Sequence, residues 1–153
     1  MSATHLTLIE NADLYAPEAL GMKHILLAGG KVVYVGEQRP TLGAELNVQI
    51  VDANGGKVVP GFIDAHTHIT GGGGEAGFST RVPPVPVSQF VRAGVTTVVG
   101  LLGTDDIVRN TESLVAQVYS LREEGISAYC YTGGYHLPPH NPDGFSAHRH
   151  CFY

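Results

Sequence analysis

Through the first fifty-odd residues, apolar positions come in short runs broken by polar and glycine-rich turns, too short for a helix face and with no 3.6-residue period. Leu6-Thr7-Leu8-Ile9 is the first such run. His24-Ile25-Leu26-Leu27 and Lys31-Val32-Val33-Tyr34-Val35 flank Ala28-Gly29-Gly30. A Gly-Gly pair between two apolar runs is a hairpin signal, because both positions accept positive φ. Asn47-Val48-Gln49-Ile50-Val51-Asp52 is a further strand, ended by Ala53-Asn54-Gly55-Gly56. Residues 1–57 are therefore expected to form a small β domain.

From Val58 the pattern changes. Val58-Val59-Pro60-Gly61-Phe62-Ile63-Asp64 reads as a buried parallel strand. Val87, Phe90 and Val91 follow at helical spacing, ended by Gly94, and Val95-Thr96-Thr97-Val98-Val99 is a β-branched run closed by Gly100. Leu114, Val118 and Leu121 repeat the helical spacing behind Asn110 or Thr111 as caps, and Gly125 ends that helix. Ile126-Ser127-Ala128-Tyr129-Cys130-Tyr131 is the next strand. Gly94-Val95-Thr96 and Gly125-Ile126-Ser127 hold the same place in two units, 125 − 94 = 31 residues apart. Strand, helix, glycine, strand at that period predicts a βα array with a parallel sheet. A closed eight-unit barrel takes roughly 250 residues. The expected fold is thus α/β: a β-sandwich-like domain at 1–57, the first three or so βα units of an incomplete barrel at 58–139, and an irregular, non-native tail at 140–153.

Composition narrows the function classes. The 153 residues are 43% hydrophobic and 15% charged, as in a globular protein, with a net charge of −5 and nine scattered Lys and Arg. That distribution offers no basic patch for nucleic acid or an anionic membrane surface. No stretch of about 18 apolar residues suggests a membrane span. The start Met1-Ser2-Ala3-Thr4-His5 does not read as a secretion signal. Cys130 and Cys151, in unlike surroundings, do not make a disulfide framework, so a cytoplasmic location is expected.

The sharpest chemical signal is Asp64-Ala65-His66-Thr67-His68. In a strand, residues i and i+2 point the same way, so His66 and His68 are expected to project together from the end of the first barrel strand. Paired imidazoles suit a borderline-soft divalent metal such as zinc. The neighbouring positions are mute by themselves. Gly71 to Gly74 could be a flexible loop, Glu75 a solvated acid, Thr104 a cap or turn residue, Tyr135 a half-buried aromatic, and His136 a structural histidine. His140, His148, His150 and Cys151 match no closed zinc module.

Together, in order, these residues carry a resemblance. Pro60-Gly61-Phe62-Ile63-Asp64-x-His66-x-His68, after Val51-Asp52-Ala53-Asn54-Gly55, resembles the amidohydrolase superfamily, which pairs a small β-sandwich with a metal-bearing barrel. Gly71-Gly72-Gly73-Gly74-Glu75-Ala76-Gly77, Ala93 to Asp105, Glu123-Glu124-Gly125-Ile126-Ser127-Ala128 and Thr132-Gly133-Gly134-Tyr135-His136 are similar in order and spacing to the isoaspartyl dipeptidases within it. The likeness runs over about residues 5 to 138 and leaves the tail out.

The resemblance implies hydrolysis of β-aspartyl dipeptides with two zinc ions, of which His66 and His68 would bind one. It implies that Glu75 accepts the substrate's free α-ammonium, that Gly73 and Thr104 touch the substrate, and that Tyr135 donates its hydroxyl to the scissile carbonyl. Full-length relatives of this kind would be homo-oligomers acting on small molecules. The bridging lysine, further histidines and catalytic aspartate of such enzymes would lie on later strands. This chain is therefore expected to be inactive alone and to bind zinc weakly. Two alternatives stand beside this reading: another amidohydrolase, dihydroorotase-like or acting on N-acyl amino acids, and a non-catalytic fragment. Glu75 discriminates the first, because an enzyme for cyclic or N-blocked substrates needs no ammonium-binding carboxylate there.

Overall fold

A computed structural model of the chain describes residues 6–106 and 108–134. It divides into two compact units, Met1–Pro60 and Gly61–Tyr153.

In the first unit the strands are β1 (Leu6–Tyr15), β2 (Ala19–Ala28), β3 (Lys31–Gly36), β4 (Val48–Asp52) and β5 (Lys57–Val58). They form one sheet in the order β3-β2-β1-β4, with β5 also on β1. β1 is antiparallel to β2 and parallel to β4 and β5. The expected hairpin is present: Ala28 pairs with Lys31 across Gly29 and Gly30, both at positive φ. Described residues here make a single sheet rather than two facing ones, because the long β1 uses one edge for β2 and the other for both β4 and β5.

β1 is longer than its opening apolar run predicts. Asn11 takes φ 54° and the register with β2 shifts between Ile9 and Ala12, so the polar Glu10-Asn11 pair is a bulge, not an end. Asn11 Nδ2 donates to Asp52 Oδ1 at 2.9 Å and the Asn54 amide donates to the same oxygen. These bonds hold the Asp52 carboxyl below its ordinary range, Asn11 contributing most. Ala12, Leu14 and Ile25 make the core, covered by Ile9, Leu27, Ala53 and Val58.

The second unit holds β6 (Phe62–Thr67), α1 (Val87–Arg92), β7 (Val95–Gly100), α2 (Thr111–Glu123) and β8 (Ser127–Cys130). Its sheet runs β6-β7-β8, all parallel and in chain order, with one α-helix in each crossover. This is the mixed α/β arrangement expected from the 31-residue period. Its first strand begins at Phe62 rather than Val58, since Val58 pairs with Leu14 in the other sheet and Pro60-Gly61 separates the two.

α2 starts where its cap dictates: the Asn110 side chain accepts from the Ser113 amide at 2.9 Å and Ser113 Oγ accepts from the Asn110 amide at 3.2 Å. Leu114, Val118 and Leu121 on its inner face pack with Ile69, Phe90, Val98, Leu102, Ile126, Ala128 and Cys130. Cys130 is a buried free thiol, pushed above its ordinary pKa by burial against the opposing pull of Arg122. Among the described residues no helix is long and apolar enough to cross a membrane.

Candidate active site

β6 delivers its two histidines by a route that strand alternation alone does not describe. Asp64 pairs with Val98 but Thr67 with Gly100, so three steps on β6 match two on β7 and the strand is bulged over residues 65–66. Asp64 Oδ1 accepts the His66 amide at 3.0 Å, closing a short turn across the bulge. Thr67 turns inward and is buried, His66 is exposed, and His68, just past the strand, is half-buried. The two rings nevertheless meet, their centroids 5.7 Å apart and their planes at 84°.

The pair fits a shared cation. With Zn–N bonds of about 2.1 Å in a tetrahedral arrangement, two ligating imidazoles have ring centres roughly 5.3 Å apart, close to the spacing seen. His68 Nδ1 faces the Leu101 carbonyl oxygen at a long 3.4 Å, which favours a proton there and leaves Nε2 for a metal. The ring is flanked by Gly72 and Gly103, where an added Cβ would lie 3.6 and 3.5 Å from it. Among the described residues no cluster of three or more potential metal ligands occurs, so a tetrahedral ion held here would find two of its four ligands in this pair.

The glycine run is a tightly held loop, not a free one. Gly72 and Val82 exchange both backbone hydrogen bonds, at 2.8 and 3.2 Å, folding residues 71–74 against the segment after the short 3₁₀ turn Phe78–Thr80. Gly73 has φ +68°, and a Cβ there would collide with the Thr80 carbonyl oxygen. Glycine is required at that position on both grounds.

Glu75 and Thr104, 29 residues apart, are brought together: the Thr104 hydroxyl donates to Glu75 Oε1 at 2.9 Å. The Glu75 carboxyl sits below the usual glutamate range, first through a hydrogen bond from its own amide, then through Thr104, with His68 and Arg109 adding favourable charge. It is exposed and therefore an accessible anion. Tyr135 and His136 lie outside the described residues, as does the tail with His140, His148, His150 and Cys151.

One residue of this region is invisible to sequence reasoning. Arg109 is 7% exposed and donates to the carbonyls of Gly73 (3.3 Å) and Val82 (3.2 Å). Asp105 lies 3.8 Å from Arg109 and 3.5 Å from Arg81. A cavity of about 550 Å³ opens beside this cluster, lined by Phe78, Pro83 and Ser113 among others, but it includes neither His66, His68 nor Glu75.

Residues 49–106 match the amidohydrolase family. The β-aspartyl dipeptidase of Fervidobacterium islandicum AW-1, solved with a β-Asp-Leu dipeptide, is 46% identical, with a TM-score of 0.85 over 94% of this chain and 37% of its own. An imidazolonepropionase of Aliivibrio salmonicida is 30% identical over 118 residues, 72% of this chain and 28% of the relative. The L-hydantoinase of Arthrobacter aurescens shares the fold at 19% identity and a TM-score of 0.57, over 84% of this chain and 28% of its own. The chain thus spans about a third of the length of the relatives it matches. By motif, by family match and by fold, it resembles the amino-terminal portion of a β-aspartyl dipeptidase of the amidohydrolase superfamily, a hydrolase lineage.

Proposed function

We propose that this chain contributes the ammonium-recognising part and the first metal-binding pair of a zinc-dependent hydrolase of β-aspartyl dipeptides. One observation carries the substrate class: Glu75 presents an exposed, ionised carboxylate at the mouth of a rigid glycine loop, oriented by the Thr104 hydroxyl. A β-aspartyl dipeptide has a free α-ammonium beside its scissile bond. A fixed carboxylate pairs with that ammonium by charge-assisted hydrogen bonds and refuses N-blocked or cyclic substrates. The imidazolonepropionase likeness is weaker, 30% against 46% identity, and supplies the superfamily rather than the substrate.

Zinc, when bound, supplies Lewis-acid polarisation of water and of the substrate carbonyl. This chain's residues do the rest of what is proposed for them. His66 and His68 would hold the ion, the Leu101 carbonyl favours the His68 tautomer that leaves Nε2 free, and Gly73, locked against Thr80, is proposed to touch the substrate through its backbone. Tyr135 is proposed to donate its hydroxyl to the carbonyl oxygen as negative charge develops there. With two imidazoles in place of four ligands, the 153-residue chain alone is proposed to hold zinc weakly and to turn over no dipeptide.

The test is calorimetric titration of the zinc-supplemented chain with β-Asp-Leu and with N-acetyl-β-Asp-Leu. The free amine is expected to bind at least about tenfold more tightly, as a charge-assisted contact implies, and Glu75→Gln to erase that preference. Equal affinity of the wild-type chain for both ligands defeats the reading.

A further inference from the structure

We propose that Arg109 is the positioning residue of the ammonium receptor: one buried guanidinium ties together the two backbone segments that bear Glu75 and Thr104. The inference rests on the reading of Glu75 given above. Arg109 Nη1 donates to the Gly73 carbonyl, two residues before Glu75. Nη2 donates to the Val82 carbonyl, which also accepts from the Gly72 amide at 3.2 Å. The same Nη1 lies 3.8 Å from the buried Asp105 Oδ2, a charge contact without a hydrogen bond to the neighbour of Thr104. Asp105 Oδ1 in turn accepts the Val108 amide at 3.0 Å, which shapes the turn leading back to Arg109.

Geometry gives the arrangement its direction. Arg109 immediately precedes the Asn110 cap of α2, whose inner face is buried at Leu114, Val118 and Leu121, so its backbone is anchored in the core. The glycine loop has no buried side chain of its own to anchor it. A Cβ at Gly71 would collide with the Val82 carbonyl oxygen and stand 3.2 Å from Arg109 Nη2, so the loop packs closely on the carbonyl and guanidinium together. A buried cation is tolerated only when its protons are used. Here two go to carbonyls of the loop and its partner segment, and the charge faces Asp105. The fork shape matters: a planar guanidinium reaches two carbonyls at fixed separation, whereas an ammonium is a single point. Arg81 shares Asp105 at 3.5 Å but, among the described residues, its side chain makes no hydrogen bond to Gly73 or Val82, so it serves as the control.

Three variants of the full chain decide the matter: Arg109→Met, Arg109→Lys and Arg81→Met. Carbon-13 NMR follows the Glu75 carboxyl titration, amide exchange in α2 reports the fold, and titration calorimetry compares β-Asp-Leu with its N-acetyl form. Arg109→Lys keeps the positive charge, so an upward move of the Glu75 titration in that variant reports lost geometry rather than lost charge. We expect that upward move, unchanged α2 exchange, and an approximately tenfold fall in preference for the free amine. Arg81→Met is expected to leave all three readouts alone.

The proposal is overturned if Arg109→Lys retains both titration and preference. It is equally overturned if α2 loses protection together with the loop, since Arg109 is then simply part of the fold. Should Arg109→Met fail to fold, Arg109→Lys decides alone. If the wild-type chain shows no preference for the free amine yet the Glu75 titration rises in Arg109→Lys, the positioning role stands and the substrate reading falls.

Discussion

Replacing Gly73 by alanine separates a rigid receptor loop from a merely flexible glycine run. At φ +68° an alanine pays the left-handed penalty of about 1–2 kcal/mol. Its Cβ would also meet the Thr80 carbonyl, and moving that segment loosens the reciprocal Gly72–Val82 hydrogen bonds. Each of those is worth about 0.5–1.5 kcal/mol net. The sum is about 2–5 kcal/mol of local opening free energy. At about 1.4 kcal/mol per factor of ten, the Gly72 and Val82 amides should exchange between about 30-fold and a few thousand-fold faster.

Two neighbouring glycines calibrate the result. A Cβ at Gly72 meets only His68 atoms at 3.6 Å, an ordinary contact, so Gly72→Ala should exchange nearly as the wild type does. Gly77 has φ +114° but nothing within 4 Å, so Gly77→Ala should carry the backbone penalty alone and fall between the two. Amide exchange by NMR reads all three chains under one condition. If Gly73→Ala exchanges no faster than Gly72→Ala, the loop is not held as described.

Thr104→Val removes the hydroxyl on Glu75 and should move that carboxyl's titration upward, read by carbon-13 NMR; an unmoved titration denies the bond. The sign follows from linkage. A glutamate held below its unfolded value adds stability that is complete above the unfolded value and disappears as pH falls through the folded one, so acid should loosen this loop in the wild type and do so less in the variant. Leu114→Ala empties a fully buried site under the β7–α2–β8 layer and should cost about 2–5 kcal/mol in a urea melt; a loss below about 1 kcal/mol would place Leu114 outside the core. His68→Ala should weaken zinc binding at least about tenfold in a chelator competition, since loss of a direct ligand is no milder than loss of the group that orients it. Equal affinity in wild type and variant would remove His68 from the metal site.

What could be read from the residues follows how local each cause is. The βα period was legible because buried parallel strands leave apolar runs and glycines mark helix ends, as at Gly94 and Gly125. The continuation of β1 beyond Ile9 was not, because Asn11 in a left-handed bulge looks like a turn until its side chain finds Asp52, 41 residues away. Val58 and Val59 were drawn into the wrong strand by an apolar run that Pro60-Gly61 interrupts. The histidine pair shows the same lesson in a subtler form. Alternation predicts that His66 and His68 share a side, and their rings do meet, but across a bulge with Thr67 buried between them.

The geometry of the proposed receptor lay furthest from view, because the resemblance nominates Glu75 and Thr104 but not the hydrogen bond between them, and arginine is too seldom buried for Arg109 to be suspected. A motif can therefore nominate the residues that meet a substrate while staying silent about what aims them. In the arrangement proposed for this chain the aiming falls to backbone carbonyls and one guanidinium, groups whose roles depend on distance and orientation in the fold rather than on any sequence pattern. Side-chain changes at Glu75 should consequently alter what is bound, whereas changes at Gly73 or Arg109 should alter how sharply it is distinguished.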